Sequence, residues 1–150
     1  MHFTPINSEY GSCSETYAKL LIYGDEDTSI SYISQNLNIE PSEAHDKGEV
    51  LVNSLGRSRE AKTTMWCLSS EGAVLSKDLR HHINWIVDKL NQNELGFRRV
   101  CSREGVKSSL NCVWYSENGH GGPALWPEQM KALASLGLEC SFDIYFLDSD

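Results

Sequence analysis

At 150 residues the chain has the length of one ordinary domain. It is long enough to bury about two-thirds of its unfolded surface without help from disulfides or a metal. Hydrophobic residues at 40% and charged residues at 23% exclude the disordered and low-complexity classes, and a formal charge of −8 argues against nonspecific nucleic-acid binding.

Residues 1–14 are polar and are expected to form a flexible N-terminal arm ahead of a single α+β domain over 15–150. Met1 to Glu9 lacks the basic and apolar regions of a secretory signal. No apolar run approaches the ~18 residues needed to span a bilayer. The five cysteines (Cys13, Cys67, Cys101, Cys112, Cys140) are odd in number and widely spaced. A reduced, cytoplasmic setting with no membrane partner is the expectation.

Tyr17–Tyr23 reads as a central strand, apolar on both faces. Gly24-Asp25-Glu26-Asp27-Thr28 is a turn, and Ile30, Ile33 and Leu37 mark one face of a short helix capped by Asp27 or Thr28. Residues 38–63 form a long connection that is either a functional loop or hides a short element such as Glu49–Val52. Thr64–Leu68 is the next strand.

The strongest helix runs from Ser76 to about Asn91, with Leu79, Ile83, Ile86, Val87 and Leu90 as one apolar stripe and Ser76 as its cap. Leu95–Cys101 and Leu110–Tyr115 are expected as two paired strands about a turn at Arg103-Glu104-Gly105. After the Gly119–Gly122 loop comes a third helix, with Pro127 near its start, Met130, Leu133 and Ala134 inward, and Gly137 as its stop. A final strand alternates Leu138, Cys140, Phe142, Ile144 and Phe146 on one face, the pattern of a half-buried antiparallel strand. The expected order is β-α-β-α-β-β-α-β: a mainly antiparallel sheet with helices packed on one face, in a ferredoxin-like split arrangement.

No residues announce catalysis. A Gly-x-Ser-x-Gly elbow is absent. The histidines (His2, His45, His81, His82, His120) and the cysteines lack metal-ligand spacing, so no metal or cofactor is expected. His81 and His82 are adjacent on a helix and point about 100° apart, and His82 borders the apolar stripe. Gly119-His120-Gly121-Gly122 precedes a helix and could receive an anion, but no Lys-Ser/Thr follows and Pro123 and Pro127 remove donors.

Charge is uneven. Residues 1–50 carry nine acids and two bases, 51–107 six and ten, and 108–150 six and one. Two clusters therefore stand out as partner-binding candidates: Asp25, Glu26 and Asp27, and the basic Arg57 and Arg59 with Lys62. Helix capping accounts for the acids equally well. Trp85, beside the helical stripe, and Trp126, at a helix entrance, are candidate exposed anchors. Trp66 and Trp114 fall in strands and belong to the core.

Gly24-Asp25, Leu37, Pro41, Lys47-Gly48, Trp66-Cys67-Leu68-Ser69-Ser70, Leu79, His82, Leu90, Pro127, Leu136-Gly137-Leu138 and Asp143-Ile144-Tyr145 together resemble a bacterial family known as domain of unknown function 4279. The resemblance runs from about residue 16 to 147. It departs at Thr28, where such proteins often carry Pro, and is loosest over 95–122. It implies the extent of the domain and a bacterial origin, and it implies no activity.

The expected function is therefore a non-enzymatic protein-binding domain, most specifically an immunity protein that neutralises a bacterial toxin. The alternative is an anionic-ligand or minor catalytic domain built from the 47–62 and 119–122 loops.

Overall fold

The first strand extends well beyond its apolar centre. In the computed structural model, which describes residues 2–146, β1 spans Cys13–Gly24 and begins inside the segment expected to be an arm. It pairs antiparallel with β5 (Thr64–Ser69) on one side and β6 (Lys107–Ser116) on the other. β2 (Glu43–His45) adds antiparallel to β5, and β7 (Glu139–Phe146) adds parallel to β6. The five-stranded order is β2-β5-β1-β6-β7.

The helices α1 (Ile30–Leu37), α2 (Leu79–Asn91), α3 (Glu94–Cys101) and α4 (Pro127–Ser135) contribute to one core on one face of this sheet. The fold is α+β with a mainly antiparallel sheet. β1 and β2 run parallel with β5 between them, and β5 and β6 run parallel with β1 between them. α1 lies in the connection within the first pair, and α2 and α3 in that within the second.

Alternation along β1 explains the core. Ala18, Leu20 and Ile22 point to the helices and are fully buried, against Trp66, Leu68, Leu110, Cys112 and Trp114 on the neighbouring strands. From α2 come Leu79, Ile83, Ile86, Val87 and Leu90, the whole expected stripe.

Several expectations are corrected. Residues 94–101 form a helix, not a strand, held by the i,i+4 pair Arg98–Glu94 at 2.7 Å and by buried Phe97 and Val100. Strand β6 therefore pairs with β1 and β7 instead. Ser29, not Asp27 or Thr28, caps α1 through its hydroxyl, which accepts from Tyr32 N–H. Asp78, not Ser76, caps α2. In α4 the buried residues are Gln129 and Leu133, while Met130 is exposed. The last strand is parallel to its neighbour because α4 carries the chain back across the sheet before it. Beyond Cys140 its apolar residues are exposed.

Residues 38–63 hide three short strands: β2, and a hairpin of β3 (Val50–Val52) with β4 (Ser58–Glu60) that forms its own two-stranded sheet. The N-terminal residues are tied to the body. Asn7 N–H donates to Asp78 Oδ2 (2.8 Å), Lys77 N–H to Ser8 O (2.9 Å) and Tyr10 O–H to Gly122 O (3.1 Å).

Candidate functional site

The β3–β4 hairpin is built locally. Asn53 Oδ1 accepts from Leu55 N–H and Arg57 N–H, and Gly56 takes the left-handed conformation that closes the loop, with φ +76°. Its root is anchored by reciprocal backbone bonds, Gly48 N–H to Ala61 O and Ala61 N–H to Glu49 O, both 2.8 Å, with Ala61 buried. Lys47 N–H donates to Thr64 Oγ1, which ties the root to β5. Beyond that root the hairpin projects, and Val50, Val52 and Leu55 are 66–76% exposed, unlike ordinary core-forming apolar residues.

Between the hairpin, β2 and the adjoining ends of β1 and β5 lies a cleft of about 740 Å³. That volume is in the range of small-molecule sites. Tyr23 and Met65 line it from the helix-free face of the sheet, His45 from β2, and Arg57, Arg59 and Lys62 from the hairpin side. Glu43 also lines it, so the cations outnumber the acid. Among the described residues, none of these three cations is in a salt bridge. They are free to meet an anion.

The sequence candidates do not converge on one site. Asp25, Glu26 and Asp27 form the turn after β1, at the same end of the sheet as the hairpin. Their chemistry is partly spent locally. Glu26 pairs with Lys47 at 2.7 Å, Asp25 Oδ1 accepts from Asp27 N–H at 3.0 Å, and Asp27 O accepts from Arg103. Trp85 and Trp126 lie elsewhere, on the helices. Trp85 packs against the core beneath Lys89, and Trp126 donates from Nε1 to Thr4 O at 2.7 Å with Arg80 over its ring. The Gly119–Gly122 loop is at the opposite end of β1, where Gly121 abuts Ser12. The twelve residues of β1 make eleven steps of ~3.3 Å, which separate it from the hairpin by roughly 36 Å. One ligand site cannot use both loops.

Two polar clusters were not visible in the sequence. Arg80 is 2% exposed, and all five of its donor hydrogens are used: on Asp78 Oδ1 and Oδ2, Thr4 O and Oγ1, and Pro5 O. Burial alone pushes the Asp78 carboxyl up. The hydrogen bonds from Arg80 and Asn7 outweigh it and hold its pKa below the ordinary value. The cluster staples the N-terminal segment to α2.

The second cluster has the outline of a nucleophile and its base. Ser70 Oγ is 2.6 Å from His82 Nδ1, and His82 Nε2 is 2.7 Å from Ser76 O. A carbonyl only accepts, so Nε2 carries the proton, and Nδ1 of the neutral ring accepts from Ser70. Burial pushes the His82 pKa down, and Ser70 Oγ also accepts from Ala18 N–H. Both residues are at most 1% exposed. A hydroxyl sealed in this way meets no substrate, and the pair joins the residue just after β5 to α2. Cys13 is likewise a poor nucleophile, its pKa pushed up to about 11 by burial.

No group of three or more His, Cys, Asp or Glu side chains among the described residues is placed to hold a metal ion. None of the helices described there is long and apolar enough to cross a membrane. Comparison with curated proteins and with solved structures finds no match. The family described as "Domain of unknown function (DUF4279)" matches residues 14–147. That span takes in the five-stranded sheet from the second residue of β1 onward, the helices α1 to α4 and the hairpin cleft, and the chain belongs to this family.

Proposed function

We propose that the chain is a non-catalytic protein-binding domain that recognises an acidic segment of its partner through the β3–β4 hairpin and the cleft beneath it. The observation that carries this is one projecting hairpin exposed on both faces, with Val50 and Val52 on one and the uncommitted Arg59, opposite Leu51, on the other, and Leu55 and Arg57 in its loop. Exposed apolar groups and arginine gathered on one projecting element are the chemistry of protein interfaces. A bacterial toxin domain neutralised by this chain is the most specific partner of that kind. Such a toxin would set an acidic patch against the hairpin, and Asp25 and Asp27 at the same end of the sheet suit a basic rim around it.

A second reading, a small anionic ligand in the cleft, draws support from the volume of about 740 Å³. Isothermal titration separates the two. An oligo-glutamate peptide with interspersed leucines is expected to bind with salt-sensitive affinity. Binding should be lost in the Arg57→Ala/Arg59→Ala double variant. Binding of pyrophosphate or nucleotides but not of the peptide would favour the second reading. No binding by any of these probes would overturn both.

A further inference from the structure

The sheet ends in an edge that nothing covers among the described residues. Among the described residues β7 pairs with β6 alone, so its other side presents backbone N–H and C=O groups without a partner there. Its C-terminal half is apolar and open: Phe142 is 44% exposed, Ile144 38%, Tyr145 48% and Phe146 64%. Tyr145 is already ordered at this edge, stacked on Tyr115 with ring centroids 5.0 Å apart. Edges in monomeric proteins are normally blunted by lysine, proline, a bulge or a very short strand. From Phe142 to Phe146 there is one charge, Asp143, and no proline.

We propose that β7 pairs antiparallel with β7 of a second copy about a two-fold axis through Ile144, joining two five-stranded sheets into one. Residues that face each other across an antiparallel pair lie on the same face of the sheet. An axis at Ile144 sets Ile144 against its own copy, Phe142 against Phe146, and Asp143 against the hydroxyl-bearing Tyr145. The apolar row on the helix side is then matched from end to end. An axis at Asp143 would instead oppose two like charges, which is destabilising. An axis at Phe142 would spend Phe146 on Leu138, which is already buried.

The area sets the strength. Side chains of this class carry on the order of 200 Å² each, so the four open fractions leave about 400 Å² per copy. Two copies together offer at most about 800 Å² of such open surface, below the ~1,200 Å² at which stable interfaces begin. The contact is that of a reversible dimer. It leaves the hairpin cleft free, since β2 is at the other edge of the sheet.

Sedimentation velocity between about 5 µM and about 500 µM, where an interface of this size exchanges, is expected to show monomer giving way to dimer. Ile144→Lys places two ammonium groups across the axis, and the variant should remain monomeric with an unchanged circular dichroism spectrum. Ile144→Cys keeps the proposal testable if that lysine perturbs the fold. Facing Cα atoms of an antiparallel pair are ~4.5–5.5 Å apart, within disulfide reach. Mild oxidation by a low-molecular-weight disulfide should therefore yield a covalent dimer that wild type and Phe142→Cys do not form. A monomer at every concentration overturns the proposal. So does a dimer undisturbed by Ile144→Lys, or cross-linking of Phe142→Cys as efficient as that of Ile144→Cys.

Discussion

Helix propensity and packing make opposite predictions for Gly96→Ala. Alanine is the better helix former by about 1 kcal/mol, so α3 on its own should gain stability from the change. Yet a Cβ on Gly96 would overlap the Asn36 carbonyl oxygen and stand 2.8 Å from its carbon. These are backbone atoms near the end of α1, so no rotamer change clears them. That end is also fixed. Ile39 N–H donates to Ser34 O, Asn38 turns left-handed at φ 54°, and Leu37 is 2% exposed. Relief requires α3 to back away, drawing Phe97 and Val100 from a site where both are fully buried.

Overpacking against an obstacle that cannot rotate belongs near the upper end of the usual range, about 3 kcal/mol. Subtracting the gain in propensity leaves a net loss of about 2 kcal/mol, or roughly 4–8 °C in melting temperature for a domain of this size. The assay is urea denaturation, with a lowered midpoint and an unchanged slope as the expected result. Gly11→Ala is the control, because nothing lies within 4 Å of a Cβ there. It should change stability little. A Gly96→Ala protein as stable as wild type would refute the close contact between α1 and α3.

Two further substitutions probe the buried polar clusters. Arg80→Met strands the Asp78 carboxylate, itself 1% exposed, and frees the Thr4 and Pro5 carbonyls. The expected cost is about 3–5 kcal/mol in urea unfolding, with faster proteolysis of the N-terminal segment. A loss below about 1 kcal/mol would contradict the staple role of Arg80. His82 gives stability a pH dependence. Its folded pKa is depressed by burial, so the unfolded chain binds more protons in the window between the two values. Its contribution is complete above the unfolded value of about 6.5 and is lost as pH falls below it, at up to about 1.4 kcal/mol per pH unit. Urea unfolding from pH 7.5 to 5.5 should show that slope, and His82→Gln should reduce it. An equal slope in the variant would place the titration elsewhere.

Elements whose side chains repeat over several turns were legible. The α2 stripe is buried at each of its five positions, and Trp66 and Trp114 are core residues, as their strand settings implied. Residues 95–101 misled because Phe97 and Val100 are strand-forming types and Gly96 weakens a helix, which outweighed the helix-forming Leu95. A strand would put Leu95 and Phe97 on one face, but Leu95 is exposed and Phe97 buried, a difference of about 200° around a helix. The glycine that weakened the helical reading is what lets α3 approach α1. Its reason lies 60 residues away. The strands of the 38–63 segment are three residues each, too short for any period, and β4 is exposed throughout. Arg57 and Arg59 were visible as charge. Their position over a cleft depends on backbone pairing with β3 and on the edge that β2 adds, which no local pattern encodes.

The two edges of the sheet differ in a way that separates the proposed contacts. β2 offers three residues of edge and stands beside a hairpin whose strands pair with each other, so a long added strand finds little to join there. Side-chain recognition in a cleft suits that end. β7 offers eight residues with open backbone and an apolar row, which suits strand pairing. Were both contacts made together, the two clefts would lie at strands one and ten of a continuous sheet. Nine spacings of ~4.8 Å set them roughly 43 Å apart. A small anionic ligand would then see two independent sites. A partner that is itself two-fold symmetric would gain avidity only if its acidic segments spanned that distance.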